Sequence, residues 1–276
     1  MIVVNEIPSH YCEIDYIDKI IEHLKNYLND NFFLFLIYDE LNEENIQNII
    51  NQIKLNENSI KIGIHVGNEM SYDDKCYKHL DYVFRFYLPS FCDYKKIYPI
   101  NIGYNSSGKN VIRFENEKKL SERKNEIYFY GQLSNRIDLK NALQNLKGKY
   151  NINFSGGFRQ GKKIDEYVSD LCDSKICLVP KGFSPETFRY SESFAAGCIV
   201  ITTEQIDVWY YKNSPAIFIK SWNELTDSFI ENILSSDIDN LQKQNSDYYK
   251  EYLSPFANAN YILSKIKIEN GEKNKN

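Results

Sequence analysis

The sequence has no two cysteines at the spacing of a redox or zinc motif. Its six, Cys12, Cys76, Cys92, Cys172, Cys177 and Cys198, are scattered, which argues against a metal site or a disulfide framework and for a reduced compartment. No apolar run approaches the ~20 residues of a membrane span. There is no basic excess: 33 Lys and Arg stand against 38 Asp and Glu, for a net charge of −5, so the footprint of a nucleic-acid binder is missing. The opening MIVVNEIPSHY is too short and too polar for a secretory signal. Internal repeats and low-complexity blocks are also missing. These absences together lead to the expectation of a cytoplasmic protein, with at most peripheral contact at the inner face of a membrane.

What is present suits an ordinary core: 42% of the 276 residues are hydrophobic and 26% charged, enough for one large or two small domains. The 22 tyrosines accompany heavy use of Asn, Ile and Lys and are not read as a binding surface. In chain order, Ile2–Ile7 reads as a strand. Ile17, Ile20, Ile21, Leu24 and Leu28 form a helical stripe over 14–28. Phe32–Ile37 is a buried strand, Asn42–Ile53 a helix, and Ile60–Val66 and Tyr82–Tyr87 further strands. Strands alternating with helices point to a parallel sheet. The first α/β domain spans 1–105, with Ile97–Asn105 closing it and Gly103 as a hinge. A linker spans 106–125. The second α/β domain spans 126–268, and 269–276 is a disordered tail. Within the second domain, 126–130 and 152–154 read as strands, 136–146 and 164–172 as helices. A late strand lies at 216–219 and a helix at 222–234. The stretch 238–266 is helical in two pieces broken near Pro255.

The most informative stretch is Ser174–Thr203, SKICLVPKGFSPETFRYSESFAAGCIVITT. Ile176–Val179 and Ile199–Ile201 are buried strands. Ser184 followed by Pro185 has the order of a helix start, and Gly197 ends that helix. This is a βαβ unit, whose strand-end loop and helix start face the crevice where doubly wound sheets bind ligands. Free N–H groups near Thr187 favour a phosphate. Arg189, Glu192 and Ser193 share one helix face: the guanidinium suits a phosphate and the carboxylate suits ribose hydroxyls. The plainer alternative is an Arg–Glu pair on a solvated face, worth roughly 0.2–0.5 kcal/mol. Glu186 opposes a phosphate, because it competes for the helix's positive end.

Pro180-Lys181-Gly182, then Thr187, Arg189, Glu192 and Ala196-Gly197-Cys198, resembles the nucleotide-sugar segment of exostosin-like glycosyltransferases. Lys181 stands for arginine, Thr187 for serine and Ser193 for alanine. Gly131 and Arg136 in YFYGQLSNRIDLKNAL resemble the family's glycine after the first strand of the second domain and its arginine after the turn. His65, Asn68, Glu69, Phe84 and Arg85 resemble a His-x-x-Asp-Glu run followed by Phe-Arg, with Asn68 in place of the aspartate.

The resemblance, over about His65–Thr203, implies an α/β GT-B fold: two small Rossmann-like domains with parallel sheets facing a cleft. It implies a glycosyltransferase moving a sugar from a nucleotide-sugar donor, UDP-linked, to a glycan or lipid-linked glycan acceptor. The transfer would be inverting, in surface polysaccharide or lipopolysaccharide synthesis, with no metal or other cofactor. The implied donor-binding residues are Gly131, Arg136, Lys181, Gly182, Thr187, Arg189, Glu192 and Ser193. Glu69 is the catalytic base candidate. His65 is its rival, since an ordinary imidazole titrates near neutrality. His65 reads equally as a satisfied histidine at a strand end; the alternative for Arg85 is a buried salt bridge, and Asp73 and Asp74 read as a loop or helix cap. Two other readings stay open: a GDP-fucose-dependent fucosyltransferase-like enzyme and a non-catalytic carbohydrate-binding relative.

Overall fold

The computed structural model describes residues 1–38, 42–56, 58–67, 69, 76–87, 97–106, 118–155 and 163–273 of the 276. The chain divides into two compact units. The first opens with β1 (Ile2–Val3), α1 (Ile14–Lys25) and β2 (Phe32–Ile37), followed by α2 (Glu43–Leu55), β3 (Ile60–His65), β4 (Tyr82–Arg85) and β5 (Ile97–Pro99). Its five strands run parallel and pair in chain order, with Phe32 opposite Ile60 and Ile62 opposite Tyr82. The stripe Ile14, Ile17, Ile20, Ile21 and Leu24 of α1 is buried as its spacing requires. Asn42 caps α2, its side chain accepting from Asn45 N at 2.8 Å. Phe35, Ile37, Ile49, Ile53, Tyr77, Leu80 and Val83 form one core cluster.

The second unit holds β6 (Asn125–Tyr130), α3 (Ile137–Leu146), β7 (Ile152–Ser155), α4 (Ile164–Cys172), β8 (Ser174–Val179), α5 (Phe188–Ala195), β9 (Ile199–Thr202), β10 (Ile217–Phe218), α6 (Asp227–Leu234) and α7 (Ile238–Tyr248). Its sheet is also parallel, in the order β10-β9-β8-β6-β7. The chain leaves β6 toward β7 and leaves β8 toward β9, so the strand order reverses between β6 and β8, and ligands of open α/β sheets bind outside the carboxyl ends at such a reversal. Ile127, Phe129, Ile176, Leu178, Ile199 and Ile201 form the sheet's share of a core completed by Leu139, Leu143, Trp222 and Ile230.

The last helix, α8 (Pro255–Lys273), belongs to the first unit, as do Val208–Tyr210; the second unit ends at Glu251. This corrects the boundary of 126–268 expected for the second domain. Buried polar contacts hold the returning segment. Tyr16 Oη donates to Leu253 O at 2.6 Å, and Asn258 Nδ2 donates to Asn101 O at 2.8 Å and to Tyr16 Oη at 3.0 Å. The expected break near Pro255 is a π-helical turn over Tyr249–Leu253, after which the proline takes the first position of α8. Helix continues to Lys273, into the stretch 269–276 expected to be disordered, of which 274–276 lie outside the described residues. Gly103, expected as a hinge, is packed instead: at φ +72 its Cβ position lies 2.3 Å from the Tyr16 ring.

Candidate functional site

The carboxyl end of β6 runs into Gly131, whose φ of +155 is a conformation that side chains disfavour. A Cβ here would sit 3.0 Å from Arg189 Nη2 and 3.3 Å from Phe129 Cζ, so the glycine is what lets the guanidinium approach the backbone. Arg189 lies over the Phe129 ring, 5.4 Å from its centroid, and its Nε is buried without a hydrogen bond. Arg136, the residue preceding α3, donates from Nη1 to Gln132 O and from Nη2 to Lys181 O, both at 2.6 Å. It therefore ties the loop after β6 to the loop after β8. Burial and then the nearby Arg189 lower its pKa. Two guanidiniums within electrostatic reach at strand ends favour an anion.

The helix after β8 begins later than Ser184–Pro185 suggests. Gly182 N donates to Ser184 O at 3.0 Å and Glu186 N to Ser184 Oγ at 3.3 Å, so 182–186 forms a turn. Ser184 thus serves its own loop, and α5 starts at Phe188 with Thr187 as its N-cap residue. Glu186 consequently lies before the helix and is buried, 5% exposed. Thr187 Oγ1 is buried and makes no hydrogen bond.

Glu192 overturns the exposed-pair alternative. It is 3% exposed and accepts a 2.5 Å hydrogen bond from Tyr167 Oη. Ser193, expected on the donor-facing side, is fully buried, its hydroxyl donating to Arg189 O at 2.6 Å. That bond to the preceding turn makes it a packing residue.

Beside this cluster is a cavity of about 600 Å³ at the ends of β8, β9 and β10, a volume typical of ligand pockets. Arg136, Lys181 and Gly182 line it together with Asn135, Asp138, Thr203, Glu204, Lys220 and Ser221. Lys181 Nζ stands 3.9 Å from Glu204 Oε1. Sequence reasoning missed Glu204, Lys220 and Tyr167. The first two follow strand ends, a position that could have marked them; Tyr167 reaches Glu192 from another helix and carried no signal.

In the first unit His65 ends β3 and is 2% exposed. Its Nδ1 is hydrogen-bonded to Tyr77 Oη, which also accepts from Arg85 Nη1 at 2.8 Å. Arg85 Nε donates to Tyr87 O at 2.9 Å, and Tyr87 adopts φ +50. The buried Arg85 thus serves a phenol, an imidazole and the strand end at Tyr87. Burial, and then Arg85, push the His65 pKa down to about 3. This corrects the expectation of a near-neutral imidazole base. Glu69 is half-buried in the turn that follows. Asn68, Asp73 and Asp74 lie outside the described residues. Among the described residues no group of His, Cys, Asp or Glu is placed to hold a metal ion, and no helix is long and apolar enough to cross a membrane.

No family model matches the chain, and no curated protein does. Solved structures do match. An α1,3-fucosyltransferase gives a TM-score of 0.52 at 10% identity, covering 96% of this chain and 88% of that one. A glycosyltransferase from Rickettsia africae ESF-5 gives 0.50 at 14%, covering 96% of both chains. WaaG, a glycosyltransferase involved in lipopolysaccharide biosynthesis, gives 0.50 at 10%, covering 95% and 98%. The fold is that of GT-B glycosyltransferases. The chain spans only 60% and 57% of two longer chains that it also matches. In fold terms, Gly131, Arg136 and Arg189 stand at the strand-order reversal of the second unit's sheet.

Proposed function

We propose that this chain is a glycosyltransferase that binds a nucleotide-sugar donor on its second unit and transfers the sugar to a glycan hydroxyl. The observation that carries the reading is Arg189 against Gly131 at the strand-order reversal, with Arg136 within its electrostatic reach and bonded to the neighbouring Gln132 O, and the buried Glu192 one helical turn from Arg189. Two guanidiniums would neutralise a diphosphate leaving group, the place where negative charge develops in this reaction. Lys181 and Gly182 would line the approach from the adjoining cavity. Glu192 would accept from the ribose hydroxyls. Glu69 is our proposed general base, because His65, with its pKa near 3, is a weak one. The exostosin-like family, inversion at the anomeric carbon and metal independence belong to the same proposal, as does a place in surface polysaccharide or lipopolysaccharide synthesis on the cytoplasmic side.

The test is thermal unfolding with UDP and with GDP, without added metal. A ligand at a hundred times its Kd stabilises the folded state by about 2.7 kcal/mol, which raises Tm by several degrees. A shift with UDP supports the main reading. A shift with GDP alone supports the fucosyltransferase-like alternative, which the likeness to the α1,3-fucosyltransferase favours. If neither nucleotide moves Tm, the donor-site assignment is wrong.

A further inference from the structure

We infer that the cavity on the α3 face of the second unit receives the sugar of the donor, that this sugar is an uncharged pyranose, and that Glu204 reads its hydroxyls. The inference rests on the donor reading given above. A nucleotide sugar runs in the fixed order base, ribose, diphosphate, sugar, so placing the two middle parts sets the side on which the last must lie. Alternation along the strands separates the two faces of the sheet. Ile127, Phe129, Ile176 and Leu178 share a core with Leu139 of α3 and with Trp222. Tyr128, between Ile127 and Phe129, lies 6.2 Å from the Tyr167 ring of α4 by centroids, and Cys177 meets Ser193 of α5. Helices α4 and α5, and Glu192 with them, therefore cover the opposite face. Arg189 reaches from α5 across the end of β6 to Gly131 and the Phe129 ring. With the ribose on the α5 face and the diphosphate at the strand ends, the sugar falls on the α3 face. There lies the cavity of about 600 Å³, lined by Arg136, by Ile137 and Asp138 of α3 and by Trp222. Among the described residues none from α4 or α5 lines it.

A pyranose has a face of C–H groups and a rim of hydroxyls, and the cavity has a counterpart for each. Ile137 is 66% exposed although apolar, and it supplies a nonpolar wall. Glu204 follows the end of β9. Its Oε1 accepts from Thr203 Oγ1 at 3.2 Å and has Lys181 Nζ 3.9 Å away. Both partners meet the same oxygen, and among the described residues Oε2 has neither a hydrogen bond nor an ion pair. An ionised carboxylate accepts at both oxygens, so Oε2 is an acceptor for sugar hydroxyls. The charges around the cavity balance. Arg136 is committed to Gln132 O and Lys181 O beside the diphosphate. Lys181 stands next to Glu204, while Lys220 and Asp138 bring one charge of each sign. A uronate would add an anion beside Glu204 and Asp138, and such like-charge contacts are what exclude wrong ligands.

The experiment measures Kd by calorimetry for UDP with UDP-glucose, UDP-galactose, UDP-N-acetylglucosamine and UDP-glucuronic acid, and for GDP with GDP-mannose, GDP-fucose and GDP-mannuronic acid. The wild type is compared with Glu204→Gln and Gln205→Ala. The Glu204 side chain is 24% exposed, so glutamine is accommodated without unfolding. Gln205 is its exposed neighbour, outside the cavity lining, and serves as the control. We expect an uncharged sugar nucleotide to bind tightest, ahead of the uronate on the same base by about tenfold or more. Glu204→Gln should weaken that ligand by about tenfold and leave the parent nucleoside diphosphate within about twofold. Gln205→Ala should match the wild type throughout. A uronate bound as tightly as any uncharged sugar overturns the uncharged class. An unchanged sugar-nucleotide Kd in Glu204→Gln, an equal loss for the nucleoside diphosphate, or the same loss in Gln205→Ala overturns the role of Glu204. In all of these the nucleoside diphosphate still binds and the donor reading stands. If the wild type binds neither UDP nor GDP, the donor reading fails and this inference falls with it.

Discussion

At Gly131 a single methyl group decides whether Arg189 keeps its place. The Cβ of Gly131→Ala would stand 3.0 Å from Nη2 and 3.3 Å from the Phe129 ring, on a backbone at φ +155. We expect this variant to lose about 1 kcal/mol or more of stability and to bind nucleotide at least tenfold more weakly; unchanged affinity by calorimetry would separate Arg189 from the donor. Glu192→Gln should weaken the donor by about 1.5–3 kcal/mol, the scale of a hydrogen bond to a charged group, with the fold retained. An unaltered Kd would leave Glu192 as part of the core only. His65 predicts a pH effect. Its pKa is about 3 in the folded protein against about 6.5 when unfolded. Below pH 6.5 the unfolded chain therefore takes up a proton that the folded chain refuses. Its contribution to stability is intact above 6.5 and drains away as pH falls toward 3, by up to about 1.4 kcal/mol per unit. Urea titrations of wild type and His65→Gln at pH 7, 6 and 5 check this: the variant should show the shallower acid loss, and parallel slopes would contradict the assignment.

Among the elements, those read from continuous apolar runs matched most closely, because burial on both faces leaves little freedom in register. Phe32–Ile37 agrees with its expected bounds residue for residue. The start of α5 did not, because Ser184 and Pro185 support a turn as readily as a helix, and the choice was made by Gly182 N donating to Ser184 O. The same limit applied to the site. Gly131, Arg136, Arg189 and Glu192 were visible as residue types at strand ends and helix spacing. The burial of Glu192 under Tyr167, and that of Ser193, depend on partners distant in sequence. The other end of α5 offers an element-scale test. Arg123, 2% exposed, donates from Nη2 to Ala196 O at 2.7 Å and from Nη1 to Ser174 O at 2.8 Å. It thereby joins the C-terminus of α5 to the start of β8, with its charge at the favourable end of the helix. Arg123→Met would orphan the Ala196 carbonyl, at roughly 1–3 kcal/mol, and leave Ser174 O the weaker bond from Cys198 Sγ at 3.4 Å, so its urea midpoint should fall sharply. Arg123→Lys should not recover it, since an ammonium lacks the planar fork. A lysine variant as stable as the wild type would refute this.

For the whole molecule, two α/β units were legible from the alternation of strands and helices. The return of Tyr252–Asn276 to the first unit was not. The decisive groups are Tyr16, Asn101 and Asn258, a tyrosine and two asparagines with nothing in their local sequence to announce a buried junction. Ending the chain at Glu251 removes the Leu253 carbonyl and the Asn258 amide from that junction and strips α1 of its cover. The first unit should then lose its cooperative unfolding transition, while the Tyr190–Tyr211 stack and the core of the second unit remain. Calorimetric scans of the two lengths would show one transition missing; two intact transitions would count against the junction. The same junction bears on how the protein is made. Residues 1–111 leave the ribosome before the second unit, but their sheet lacks α8 until Pro255–Lys273 follows it. The second unit has all of its strands and helices by Glu251. Of the two units, the one begun earlier is completed later, and while the second is made an apolar α/β fragment waits without its closing helix. That interval is when a chaperone has something to hold.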